Sequence, residues 1–535
     1  MTFAELEHYS EELKQGLAKT QKERDEYKKL CDRLLEENAR LKRGLFGRKA
    51  ERLAPSEQQL SLAVLGLALG GSADAAPTPA EQTPDATQVI AAHERRTPRR
   101  NAFPQDLPRV EIELVPAEVQ REGLDAFDVI GEERRETIER RPSSAVVVVT
   151  VRPKFVRKTD KGREGASIVV AEPAELPILK GSAGPGMLAD TIVRRWQDHL
   201  PLHRLESIYG REGLSLSRST LCGWHDQLAE LCEPVIDAMW RDAFAQPYLC
   251  VDATGVLVLQ KEKCRRGYFW VLIAPGKHAL FRFSASHDRK TTDALLGGYK
   301  GYLVADAHAV YDHLFAAGDL IEVGCWSHGR RYFFFALASD PERAKKALAL
   351  IGALFHIERS IADEPRKRRE AIRQSKSRPI VEQFFHWCEL ERDLVLDQSP
   401  ISKAIGYVLN QRQALCRFLD DGRLPLTNNI SERNLRREAI GRKNWMFVGS
   451  EDGARANATF TSLLASCQMH ALEPWAYLRD LLCLLPRWPK TRVLDLAPAY
   501  FQHTAQQRET RQLLAANPFR NVILGAGEHA IVSTS

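Results

Sequence analysis

No two of the ten cysteines stand in a Cys-x-x-Cys pair, and none falls between residues 106 and 200. That usage argues against a disulfide scaffold and fits a reducing cytoplasm. Long apolar runs are missing too. The longest, Leu60 to Leu69, is too short to span a bilayer, and the Glu- and Lys-rich first residues have no secretory-signal character. Neither charge dominates, since 76 Lys and Arg face 70 Asp and Glu for a formal net charge of +6. Such a balance permits a nucleic-acid partner without demanding one. With 44% hydrophobic and 27% charged residues among 535, the chain reads as a multidomain protein of three or four domains, at about 150 residues each.

What is present begins with a heptad pattern. Leu6, Leu13, Thr20, Tyr27, Leu34 and Leu41 recur every seven residues, with Leu17, Cys31, Asn38 and Leu45 in the interleaved set. A self-associating parallel coiled coil is expected over 1–52, with Asn38 fixing register; a long solvated amphipathic helix is the alternative. Residues 53–105 read as a flexible linker that ends in a basic cluster, His93 to Arg100, taken as a solvated charge run. A small β-rich module is expected over 106–180, with Ser144–Pro153 its clearest strand. Residues 181–245 read as a helix-turn-helix-like region. Its second helix would begin near Leu216 and present Arg218, Ser219 and Thr220 to a DNA groove; a helical hairpin that only packs a core is the alternative.

Three carboxylates carry the chemistry. Asp252 lies inside an apolar run, Tyr248 to Leu259, that reads as a buried strand. Asp306 ends a second, Gly301 to Asp306. Glu432 opens a basic helical stretch, Asn428 to Arg437. Ionised carboxylates in apolar strands need a partner, and a divalent metal is the usual one. The predicted element order from 246 to 330 is β-β-β-α-β-α-β, the ribonuclease-H-like order. The fold class is therefore expected to be multidomain α/β. A ribonuclease-H-like mixed sheet would span 246–330 and 425–485, interrupted by a helical insertion at 331–424; the tail 486–535 carries no recognisable pattern.

The chain resembles the large DDE transposase of insertion-sequence family sixty-six from residue 4 to about 485. The residues that carry the resemblance are Leu45–Arg52, His199–Arg204, Leu216–Leu221, Gly324–Arg331, Asn428–Arg433 and Gly441–Ser450. It implies an enzyme that cuts element ends and joins their 3′ hydroxyls to target DNA. Asp252, Asp306 and Glu432 would be its metal ligands, for two Mg²⁺ ions with Mn²⁺ as a substitute. It implies terminal repeats and target DNA as partners, two small accessory proteins that often travel with the family, and a bacterial cytoplasm close to the nucleoid. Ala253 and Thr427 stand where relatives commonly have acidic residues. The family's Cys-x-x-Cys zinc module has no cysteines here, so no zinc is expected. Cys325 and His328 are read as a packed pair.

Basic residues crowd the acids. Arg433, Arg436, Arg437, Arg442 and Lys443 flank Glu432, and His328, Arg330 and Arg331 follow the fifth strand. All are expected to touch phosphates, with surface ion pairing the alternative for His328, Arg330 and Arg331. Trp445 is read as a core ring, with base stacking as the alternative. A nuclease or resolvase that cuts without joining, and a catalytically inactive DNA-binding regulator, are the competing readings of the whole.

Overall fold

The computed structural model describes Phe103 and residues 109–141, 144–161, 167–260, 263–525 and 530–533. The expected coiled coil, the basic cluster and all of the linker but Phe103 lie outside the described residues. These pack as two units: residues 328–364 and 371–412 form a helical one, and the others a larger α/β one.

The larger unit holds two five-stranded sheets. In the first, β1 (Arg109–Val115), β2 (Phe127–Arg141), β3 (Ser144–Arg157) and β4 (Ile168–Val170) are joined by a terminal strand, Ala530–Ser533, parallel to β1. β3 is buried continuously from Ala145 to Val151, as its run of valines demands. β2 reads Glu-Glu-Arg-Arg-Glu-Thr-Ile-Glu-Arg, a helix-favouring composition, yet it pairs with β3 along its whole length. Ile138 enters the core, and Glu133 pairs across the strands with Arg152 and Lys154. Tertiary pairing overrides local propensity there.

The path to the second sheet is helical, through α1 (Pro185–Ile192), α2 (Leu202–Arg211) and α3 (Arg218–Phe244). Ser217 caps α3 by accepting the Thr220 N–H. Leu221, Trp224, Leu228, Cys232, Val235 and Met239 form its buried stripe.

The second sheet comprises β5 (Tyr248–Leu259), β6 (Cys264–Ala274), β7 (His278–Ser284), β8 (Gly301–Val304) and β9 (Leu320–Val323), in the order β7-β6-β5-β8-β9. The first three form an antiparallel meander, while β8 and β9 run parallel to β5. The helix α4 (Arg289–Leu296) links β7 to β8. β5 is buried on both faces at Leu249–Val251, then alternates buried and exposed from Val256 to Leu259. That switch marks where a central strand becomes half-covered.

In the helical unit, α5 (Pro341–Ser360), α6 (Arg378–Arg392) and α7 (Pro400–Asn410) surround an aromatic cluster that includes Phe333, Phe384 and Trp387. Arg373 is buried and paired through two nitrogens with Glu358.

The larger unit resumes with α8 (Asn429–Trp445), α9 (Glu451–Met469) and α10 (Pro474–Leu484). α9 covers the edge strand β7: Ser462 and Ser466 accept the outward N–H groups of Phe281 and Ala279. An open sheet edge is thereby closed. Three short helices follow, α11 (Pro498–Gln506), α12 (Arg508–Ala516) and α13 (Pro518–Ile523). The tail is thus folded into the unit. Phe501, Leu514, Phe519 and Val522 are buried, and Arg520 pairs with Asp480 at 2.8 Å. No helix among the described residues is long and apolar enough to cross a membrane.

Candidate active site

Asp252 stands within β5, and Asp306, expected to end its strand, lies two residues past the end of the neighbouring parallel strand β8. The β5–β8 register runs Tyr248↔Tyr302, Leu249↔Leu303 and Cys250↔Val304. Each aspartate lies two residues beyond the last of these pairs. β8 ends there while β5 continues, paired with β6. Both acids therefore sit at the carboxyl edge of the parallel strands, where open α/β sheets form their crevices. Tyr311 lies near both: its phenol is pushed well above its usual range by burial, then by the charges of Asp306 and Asp252.

Glu432 comes from a distant segment that Asn428 fastens to the same edge. Asn428 is fully buried. Its Nδ2 donates to the Val251 carbonyl at 2.8 Å, and its backbone N–H donates to Cys325 Sγ at 3.1 Å. One turn later the Glu432 N–H donates to the Asn428 carbonyl at 3.3 Å. Glu432 thus occupies the first turn of α8, where the helix dipole favours a carboxylate. At its far end α8 is tied to β5 again, as Arg442 Nη1 donates to Thr254 Oγ1 at 2.9 Å and the Gly255 carbonyl at 2.7 Å.

Three hard oxygen donors, one within a strand, one past a strand end and one at a helix start, are of the kind a divalent cation such as Mg²⁺ takes. The side chains themselves are less converged than the sequence suggests. Among the described residues no three His, Cys, Asp or Glu groups are gathered closely enough to hold a metal as they stand. Backbone placement brings the segments bearing Asp252, Asp306 and Glu432 to one edge of the sheet.

Glu438, the other acid of α8, has a different role. It is buried, accepts from Asn457 Nδ2 at 3.0 Å and Thr461 Oγ1 at 3.3 Å, and is pushed up to about 7 by burial. It belongs to the packing of α8 on α9.

Two histidines that the sequence did not single out adjoin Asp306. The His287 ring stacks on buried Trp270 at 4.7 Å and meets His308 edge-on at 4.6 Å. Burial and His308 lower the His287 pKa, and Asp306 pulls it the other way. The position of His308, two residues past Asp306, was the available signal. His287 had none, since its loop follows a different strand.

The basic residues divide. Arg433, Arg436 and Lys443 are exposed. Arg437 is half-buried, held by Gln197 at 2.8 Å and by Gln468, and Arg442 is the tie to β5 described above. Arg218, Ser219 and Thr220 are exposed on the first turn of α3, with Arg218 paired to Glu206 at 3.2 Å. His328, Arg330 and Arg331 lie in the helix Trp326–Ala336 and are counted with the helical unit; the two arginines are exposed.

Comparison with known proteins names the family. Residues 180–456 match the model of the Transposase IS66 family, a stretch that holds all three carboxylates and the helical unit. The chain belongs to the IS66 transposase family. Residues 33–112 match a further model, described as Transposase C of IS166 homeodomain. Two similar relatives come from Sinorhizobium fredii (strain NBRC 101917 / NGR234). The uncharacterized protein y4hP is 29% identical over 485 residues, covering 86% of this chain and 87% of its own. The uncharacterized protein y4qI is 30% identical over 489 residues, covering 87% and 88%. Similarity to these two relatives therefore covers most of the chain.

Proposed function

We propose that this IS66 transposase cleaves the ends of its insertion sequence and joins the freed 3′ hydroxyls to target DNA, with Asp252, Asp306 and Glu432 as its catalytic carboxylates. The reading takes the second sheet and its helices as ribonuclease-H-like. It is carried by one observation: Asp252 and Asp306 each follow the last β5–β8 pair by two residues, and Asn428 fastens the start of the Glu432 helix to Val251.

Two Mg²⁺ ions, or Mn²⁺ in their place, held by these three residues would supply nucleophile activation and leaving-group stabilisation. The chain does the rest. Carboxylates alone repel a phosphodiester, so the exposed Arg433, Arg436 and Lys443 on the same helix draw the backbone in. Arg218, Ser219 and Thr220 recognise the element ends, and His328, Arg330 and Arg331 orient phosphates. Hydrolysis followed by in-line attack of the 3′ hydroxyl needs no covalent enzyme intermediate. Pairing two ends calls for a second copy, which the heptads of residues 1–52 would supply; the two small accessory proteins join the same assembly.

The experiment is cleavage and joining of element-end duplexes with and without Mg²⁺. Metal-dependent joined product supports the reading. Cleavage without joining supports a nuclease, and unchanged binding with no cleavage supports a regulator.

A further inference from the structure

At the other end of the Glu432 helix lies a cavity of about 140 Å³ lined in part by the rings of Trp196, His225 and Trp445. We infer that it receives a nucleobase extruded from the DNA end; the inference rests on the function proposed above and adds a ligand class to it.

The walls come from segments far apart in sequence. Trp445 closes α8, and Arg195 and Trp196 lie 250 residues earlier on a π-type turn, Val193–Gln197. There the Asp198 N–H reaches back five residues to the Val193 carbonyl, at 3.1 Å. Such turns cost regular helix geometry and recur at functional sites. The Arg195 guanidinium lies 4.5 Å from the Trp196 ring centre and 5.8 Å from that of Trp445. Trp196 packs against His225, which shares the lining, and against Phe460. Ser450 and Gly449 are exposed at the mouth, as are Cys222 and Asp226.

Chemistry selects the ligand. Trp196 Nε1 and Arg195 Nε are buried N–H groups without a hydrogen-bond partner, which is costly unless an acceptor arrives. A base offers ring nitrogens and carbonyls in one plane, suited to lying against the Trp445 ring with its acceptors toward the Arg195 guanidinium and the Trp196 N–H. A phosphate fits worse, because Asp226 stands at the mouth and the Trp196 and Trp445 rings take up part of the walls. The space holds one small planar group rather than a drug-sized ligand.

The residue after Trp445 suits a wedge. Met446 is 71% exposed and held at φ 63°, a conformation that side-chain-bearing residues seldom adopt. Phe447 and Ile440 are exposed beside it in sequence and on the last turns of α8. Apolar side chains of this kind enter base steps and unstack them. At about 1.5 Å per residue, α8 spans about 20 Å from Glu432 to Trp445, which puts the extruded base within about six base-pair steps of the cut.

The test uses the full chain and duplexes of the element's own end, with one mismatch moved through the six positions flanking the cleaved bond. Unpairing lowers the cost of extrusion. Wild type is expected to bind one mismatched duplex about tenfold more tightly than the matched one. The preference should persist in Trp445→Phe and vanish in Trp445→Ala. Met446→Ala, at an exposed site that leaves folding intact, should slow cleavage of matched ends and spare the mismatched end. Cleavage of matched ends by a wild type that shows no preferred position would overturn the inference and leave the proposed function standing. So would an undiminished preference in folded Trp445→Ala. A wild type that cuts nothing under any metal condition would remove the proposed function, and the inference with it.

Discussion

Asn428 donates its side-chain amide to the carbonyl of Val251, the residue before Asp252, and Glu432 follows Asn428 by one helical turn. One buried amide thus couples two carboxylates that are 180 positions apart in the chain. Asn428→Ala leaves the Val251 carbonyl without its donor, and Asn428→Asp cannot replace that donor. Both variants should lose about 1–3 kcal/mol of stability and most cleavage activity while still binding DNA. Chemical denaturation beside a cleavage assay checks this, and full activity in Asn428→Asp would refute the anchoring role.

Neutralising any carboxylate should be far more costly to chemistry than to folding. Asp252→Asn, Asp306→Asn and Glu432→Gln are each expected to slow cleavage and joining about a thousandfold or more, with element-end affinity nearly unchanged. Residual joining near the wild-type rate in any one of them would remove that residue from the site.

Glu139 makes stability depend on pH. Its carboxylate is buried against the start of α1, with Oε1 accepting from the N–H groups of Arg140 at 2.8 Å and Met187 at 2.6 Å. Burial pushes its pKa from 4.5 to about 8. The folded state holds a proton that the unfolded chain releases, so stability falls as pH rises from about 4.5 through about 8 and levels off above. Glu139→Gln keeps the acceptor and should flatten that slope. Melting temperatures across pH 5–9 check it, and an identical slope in the variant would contradict the assignment.

The C-terminal helices should be indispensable to folding. Phe501, Leu514, Phe519 and Val522 are buried, at about 1.5–3 kcal/mol each. Tyr500 also donates to Asp242 at 2.8 Å. Their combined loss approaches the whole stability of a domain. Truncation after residue 497 should yield insoluble or molten protein, and a cooperative unfolding transition in the truncated chain would contradict this.

The strand bearing Asp252 and the strand that ends just before Asp306 were legible from their apolar runs, and the β-β-β-α-β-α-β order followed from alternating signals. β2 was not, since Glu and Arg favour a helix until β3 supplies pairing partners. The tail carried only Pro498 and Pro518 as helix starts, with apolar residues too sparse to show a period. At the site, the Asn428 motif was visible but its hydrogen bond was not. His287 and the Arg195–Trp445 cavity depend on contacts between segments that no local pattern connects. Glu438 shows the converse: it shares a helix with Glu432, and only the fold shows that it packs against Asn457 and Thr461.

Deleting residues 1–46 should lower the oligomeric state, as read by light scattering. An unchanged mass would place self-association elsewhere in the chain.

The most direct measurement is strand transfer by the purified full chain, with pre-cut element ends, a plasmid target and Mg²⁺, run beside Glu432→Gln. Joined product from the wild type and none from the variant is the predicted result. Equal joining by both, or none by a wild type that binds the ends with its accessory proteins present, would contradict the assignment of Asp252, Asp306 and Glu432 as the site of DNA joining.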